Sequence, residues 1–174
     1  MNIDRYNIRL QTVEEEDAED IVRFRTDEKR SRFISATNND IELQKEWIKK
    51  YKEREKNNEE FYFIAIDENG EKFATYRVYN IEKNICEIGS WVSKPEYKNA
   101  VNSIKVDILM KEFVFLNLGY QQLRFEVNKG NHSVVKYHKL FKPIIVKESD
   151  DNLYFVLEKR NFEENRKRIF NNIK

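Results

Sequence analysis

Residues 85–118, ICEIGSWVSKPEYKNAVNSIKVDILMKEFVFLNL, carry the pattern on which the reading of this chain turns. Ile85 to Ser93 is β-branched and aromatic, as a strand requires, and Pro95 ends it because proline cannot donate to a ladder. From Ala100 to Leu118 the apolar residues Val101, Ile104, Ile108, Leu109, Phe113 and Leu116 recur at helical spacing. Gly119 follows where a C′ glycine belongs, so this is the longest buried helix.

Upstream, Phe61 to Asp67 and Lys72 to Tyr79 flank the turn signal Glu68-Asn69-Gly70 and form a hairpin, to which Ile85 to Ser93 adds a third strand. Before the meander, Tyr6 to Thr12 alternates, with Ile8 and Leu10 on one face and Arg9 and Gln11 on the other. Thr12 and Glu15 have capping-box spacing ahead of Ala18, Ile21 and Val22, predicting a helix to about Asp27. A short helix is expected over Glu28 to Ile34. Asn38, Asn39 and Asp40 can cap a third, whose apolar stripe is Leu43, Trp47, Ile48 and Tyr51. Downstream come a strand at Leu123 to Val127, a short helix at Ser133 to Phe141, strands at Ile144 to Lys147 and Leu153 to Glu158, and a polar helix at Asn161 to Asn172. No repeat or Pro/Gly-rich linker divides this order, so residues 1–174 are expected to form a single mixed α/β domain.

Composition narrows the function. With 32 Lys and Arg against 31 Asp and Glu, the net charge of +1 offers no field for nucleic acid or a membrane surface. Apolar residues at 40% and aromatics at 13% exclude a disordered chain. The one cysteine, Cys86, cannot form an internal disulfide, and two histidines without HExxH spacing argue against a metal site. No signal-peptide run opens the sequence, and together these features point to the cytoplasm. GxxxxGK[ST] and GxGxxG are both absent.

Three segments carry a family resemblance: IRLQTVEEEDAEDIVRFRTDE from Ile8, EIGSWVSKPEY from Glu87, and VNKGNHSVVKYHKL from Val127. In order and spacing they resemble the GNAT N-acetyltransferase superfamily, in particular the branch that acetylates protein N-termini and small amines. The resemblance implies a mixed sheet of about seven strands, helices on both faces, and a fourth and fifth strand that splay apart. It also implies acetyl-CoA as co-substrate, its pantetheine arm hydrogen-bonded between the splayed strands. Trp91, Val92 and Ser93 would line that arm, Asn131 would contact it, and the amides of Lys98, Asn99, Ala100, Val101 and Asn102 would hold the pyrophosphate. This chain departs from the family's glycine-rich loop: KNAVNS has no glycine, and of its residues Asn99 best tolerates left-handed geometry. Lys94, Lys98 and Lys105 surround the expected phosphate position, either as ligands or as a solvated face.

Acetyl transfer needs a neutral amine, a polarised thioester carbonyl and a proton for the departing thiolate. A period of two puts Glu87, Gly89 and Trp91 on one face, where Glu87 is expected either as the base, its pKa raised beside Trp91, or as a cross-strand partner of Arg77. Glu126 is the reserve base and water a third route. Counting from Asn131, His138 occupies the family's proton-donor position, with Tyr137 next to it, and an imidazolium there would protonate the thiolate. Cys86 reads as core rather than nucleophile. Arg25, Arg32, Phe33, Tyr76 and Arg77 are expected to wall the acceptor site or to serve in ordinary ion pairs. The implied function is transfer of acetyl to a primary amine of a small molecule, such as a nucleotide-linked amino sugar. The alternatives are a protein N-terminal acetyltransferase and a non-catalytic CoA-binding module. A homodimer is compatible with the sequence; nucleic-acid and membrane partners are not expected.

Overall fold

The computed structural model describes residues 1–173. Its strands are β1 (Asn2–Arg5), β2 (Ile8–Thr12), β3 (Phe61–Ile66), β4 (Lys72–Tyr79), β5 (Ile85–Ser93), β6 (Gln122–Asn128), β7 (Ile144–Glu148) and β8 (Asn152–Glu158). They form one sheet in the order β1-β2-β3-β4-β5-β6-β8-β7. The helices are α1 (Ala18–Thr26), α2 (Glu28–Ser31), α3 (Ile41–Lys56), α4 (Ala100–Glu112), α5 (His132–Lys139) and α6 (Lys159–Asn171).

The mixed α/β fold is as expected, with one strand more. Tyr6 and Asn7, at φ 61° and 62°, make a two-residue turn that folds β1 back onto β2. Hairpin turns of this kind usually announce themselves with glycine, and neither residue is one. Thr12 does not cap a helix; it stays in β2 opposite Phe63, and its hydroxyl accepts from the Met1 amino group at 2.8 Å. The capping box falls two residues later, where the Glu14 N–H donates to Asp17 Oδ2 at 2.8 Å ahead of the 3₁₀ turn Glu15–Asp17. The long helix loosens into a π-helical turn at Phe113–Asn117 before Gly119, whose φ of 79° fits the C′ role.

The sheet is covered on both faces. On one, α1 and α3 bury Phe24, Ile48 and Tyr51 against Tyr62, Ile64 and Val92. Leu43 leaves the expected stripe at 48% exposure and lines a pocket instead. On the other face, Val106, Leu109 and Phe113 of the long helix and Phe162 and Ile169 of α6 join Phe63, Tyr76, Ile88 and Phe125 of the sheet. Each such side chain contributes roughly 1.5–3 kcal/mol of burial.

Strands β5 and β6 run parallel but pair only where Ile85, Cys86 and Glu87 face Gln122, Leu123 and Arg124. Beyond that point β6 keeps its full ladder to β8, so it is β5 that departs. The cause lies on its other edge. Arg77 of β4 faces Gly89 and Thr75 faces Val92, so Ser90 and Trp91 together oppose Tyr76. Ser90 is the extra residue, at φ 55°, and a bulge of this kind bends and twists the strand that carries it. A V-shaped cleft opens between Ile88–Ser93 and Phe125–Asn128.

Candidate active site

The bulge changes which side chains share a face. Cys86 and Ile88 point to the α4 side, and the inserted residue turns Trp91 to that side as well. There Trp91 stacks on Tyr76 at 5.6 Å between centroids and approaches Tyr137 and His138 at 6.0 and 5.9 Å. Glu87 lies on the opposite face, accepting from the Tyr79 hydroxyl and from Asn80 Nδ2, each at 3.0 Å. The expected juxtaposition of Glu87 with Trp91 is therefore corrected. Arg77 is not the partner of Glu87 either; its Nε donates to Glu60 at 2.8 Å. Gly89 leaves room for the Tyr79 phenol, since a Cβ there would stand 2.7 Å from its oxygen. The reserve base Glu126 is exposed on β6, and Cys86 is fully buried with its thiol pushed up to about 12 by desolvation, which makes it inert.

Behind Trp91 lies a buried polar network that sequence reasoning missed. Asp107 accepts from the hydroxyls of Tyr76 and Tyr137, both at 2.6 Å, and from Lys111 Nζ, and neither Asp107 nor Lys111 is exposed to solvent. The available signal was a charged i, i+4 pair inside an apolar helical run. Lys111 Nζ also stands 3.5 Å from His138 Nδ1. Burial, and then the Lys111 charge, push the His138 pKa down to about 3. His138 is thus neutral near pH 7, which corrects the expectation of an imidazolium donor. Burial, and then Asp107, raise Tyr137 well above the usual phenol range, and its one proton is already donated.

The loop leading into α4 needs no glycine. Asn99 has φ −80°, and no residue from Lys94 to Asn99 has positive φ. Asn99 makes no use of its tolerance for left-handed geometry; its side chain caps α4 by accepting from the Asn102 N–H at 3.1 Å. The Ala100 N–H donates to Lys98 O at 3.0 Å. Among the described residues, the N–H groups of Lys98, Asn99 and Val101 are left without an intramolecular acceptor. Lys94 is engaged by Glu71, Lys105 donates to Asn102 Oδ1 at 3.2 Å, and Lys98 is exposed.

The expected acceptor wall divides in three. Tyr76 belongs to the Asp107 network on the far face. Arg32 stacks on Phe33 at 4.3 Å, and Phe33 reaches Gly130, where an added Cβ would stand 3.2 Å from its ring. Next to Gly130, Asn131 occupies the N-cap position of α5 without capping it; its Oδ1 takes only a long 3.4 Å bond from Ser133 Oγ. Arg30 donates to the Pro95 and Tyr97 carbonyls at 3.0 and 3.1 Å, so the α2 segment touches the loops on both sides of the cleft. Arg25 and Arg77 do come together, with Thr37, Trp47 and Tyr62, around a pocket of about 280 Å³ on the α3 face.

A family profile described as "Acetyltransferase (GNAT) domain" matches residues 7–139. The chain belongs to the GNAT acetyltransferase family. A solved structure described as apo FdhC, a nucleotide-linked sugar GNAT, is 33% identical, superposes with a TM-score of 0.85, and is matched over 97% of this chain and 96% of that one. Ribosomal-protein-S5-alanine acetyltransferase from Vibrio fischeri shares the fold at 13% identity, TM-score 0.78, over 93% of this chain and 98% of that one. A variant of spermidine N-acetyltransferase SpeG from Vibrio cholerae does so at 12% identity, TM-score 0.74, over 91% and 97%. No curated protein matches the sequence. The matches establish the superfamily and do not single out its protein N-terminal branch.

The protein is accordingly an acyl-CoA-dependent acetyltransferase. Its residues fit acetyl-CoA. The unpaired edges of β5 and β6 can take an extended arm as an added strand, and three N–H groups at the start of α4 are free for an anion. The Trp91 Nε1–H is buried beside the cleft without an acceptor, a donor that a bound carbonyl would satisfy. Among the described residues no cluster of His, Cys, Asp or Glu could hold a metal ion, and no helix is long and apolar enough to cross a membrane.

Proposed function

We propose that this GNAT enzyme acetylates the amino group of a nucleotide-linked amino sugar. The observation that carries the reading is the match to FdhC at 33% identity along almost the full length of both chains. Acetyl-CoA supplies the acyl group as a thioester; the remaining tasks fall to this chain. Glu87, on the same face as the α3 pocket, is the group that takes the amine proton, held in place by Tyr79 and Asn80. Trp91, Val92 and Ser93 present one edge of the cleft and Asn131 stands at the other, its side chain uncommitted to capping. The amides of Lys98, Asn99 and Val101 hold the pyrophosphate, without the other two in the expected set. No dedicated acid is assigned, because a thiol of ordinary pKa near 8.5 leaves as thiolate and is protonated by water near neutrality.

The test is thiol release with nucleotide-linked amino sugars, spermidine, free amino sugars and N-terminal peptides as acceptors. Turnover is expected to be fastest with a nucleotide-linked sugar. Turnover only with peptides or uncharged amines would overturn the reading, and no heat on titration with millimolar acetyl-CoA would remove the enzyme and the CoA-binding module together.

A further inference from the structure

We propose that Arg25 binds an anionic oxygen, phosphate or carboxylate, of the acceptor; the assignment of that oxygen to a nucleotide-linked sugar rests on the function proposed above. Arg25 is only 9% exposed, yet its partners are all neutral. Nε donates to Thr37 Oγ1 at 2.6 Å, and one terminal nitrogen donates to the Ser35 carbonyl at 3.1 Å and to Ser35 Oγ at 3.0 Å. No carboxylate of the described residues pairs with it; the nearby Arg54 and Arg77 take Glu60, and Arg23 takes Glu96. Burying a guanidinium without a counter-ion is costly, and a bound anion removes that cost.

The rest of the guanidinium is available. Its second terminal nitrogen bonds neither Ser35 nor Thr37 and is not sealed from solvent, and the neutral Tyr62 hydroxyl, also on the pocket that Arg25 lines, stands within hydrogen-bonding reach of the guanidinium. Across the pocket stands Arg77, and Glu60 neutralises it only in part because the same carboxylate also accepts from Arg54 Nε at 2.7 Å. The local field is positive. Asp40 is the pocket's one acidic residue, and its Oδ1 is occupied by the Leu43 N–H at 3.0 Å. At about 280 Å³ the pocket is at the small end of ligand sites, roughly 300–1,000 Å³, so it accepts a fragment of a nucleotide sugar rather than the whole.

The site separates Arg25 from its two sequence-level companions. Arg77 is held by Glu60 and by the faces of Trp47, Tyr62 and Tyr79, and Arg32 lies against Phe33. Arg25 alone combines burial, absence of a counter-ion and an open donor.

Arg25→Gln removes the charge and keeps amide donors for Ser35 and Thr37. Thiol release is compared for a nucleotide-linked amino sugar, glucosamine 1-phosphate and methyl glucosaminide, with and without added salt. In wild type the anionic acceptors should have the higher kcat/KM and should lose it as salt rises. In the variant they should lose about tenfold or more, as expected for a lost bond to a charged group, with the neutral sugar and the melting temperature little changed. Equal losses on all three acceptors would overturn the proposal and leave Arg25 as a tie for the 35–37 loop. Arg25→Lys, which keeps the charge, should retain the preference for anionic acceptors; losing it as fully as the Gln variant would also overturn the proposal. If glucosamine 1-phosphate is turned over with Arg25 sensitivity and nucleotide-linked sugars are not, the nucleotide reading fails and Arg25 stands. Should none of the three be turned over, calorimetry with UDP decides: binding weakened about tenfold by Arg25→Gln supports the site, and wild-type and variant binding that are equal, or absent from both, reject it.

Discussion

Glu87 and Trp91 stand four residues apart on β5 and face opposite sides of the sheet, because Ser90 at φ 55° adds a residue to the strand between them. Trp91 closes the Asp107 network on one face while Glu87 meets Tyr79 on the other. One backbone irregularity thus separates the base candidate from the aromatic wall and also opens the cleft beside β6.

Ser90→Val should therefore be costly. A β-branched residue held in left-handed geometry loses about 1–3 kcal/mol, read as a lower denaturation midpoint with an unchanged m-value. Ser90→Gly, which accepts positive φ freely, should fold with stability equal to or above that of the wild type.

Glu87→Gln should lower kcat by about 10²-fold or more, the usual scale for losing a general base. The fold should survive, since the glutamine carbonyl can still accept from Tyr79 or Asn80. Near wild-type turnover from pH 6 to 9 would make Glu87 structural.

Tyr137→Phe removes one of the two phenol donors on the buried Asp107 carboxylate and should cost roughly 1.5–3 kcal/mol of stability. Its kcat should fall less than about tenfold, well short of the roughly 10²–10⁴-fold that a general acid supplies. A loss of kcat by several orders of magnitude at unchanged acetyl-CoA affinity would restore Tyr137 as the acid.

His138 links stability to pH. Its pKa is about 3 in the folded chain against an ordinary 6.5, lowered by burial first and by Lys111 second, with Asp107 acting in the opposite sense. Between those values the unfolded chain binds a proton that the folded chain does not. The contribution is therefore fully present above pH 6.5 and is lost as pH falls toward 3, with a slope of about 1.4 kcal/mol per pH unit. Unfolding free energies of wild type and His138→Phe across this range should show the variant's dependence to be shallower, and NMR should find the wild-type imidazole neutral at pH 5.

The meander and the long helix were legible in the sequence because alternation, helical period and turn residues are local properties that neighbours along the chain express directly, and the family was legible through the resemblance of three segments in order and spacing. The pocket arginines Arg25 and Arg77 were legible as types; the buried Asp107–Lys111 pair was not, although its i, i+4 spacing stands inside an apolar run. Tertiary structure alone decided that Ser90 would bulge, that Trp91 would turn away from Glu87, and that Glu60 would claim Arg77 and leave Arg25 without a counter-ion. A bulge is chosen by the ladder on the neighbouring strand, and an ion pair by which side chains the sheet brings within reach across 17 residues of sequence. A histidine's charge is likewise set by what buries it, and His138 became neutral only when Lys111 and Phe125, from other elements, packed around it.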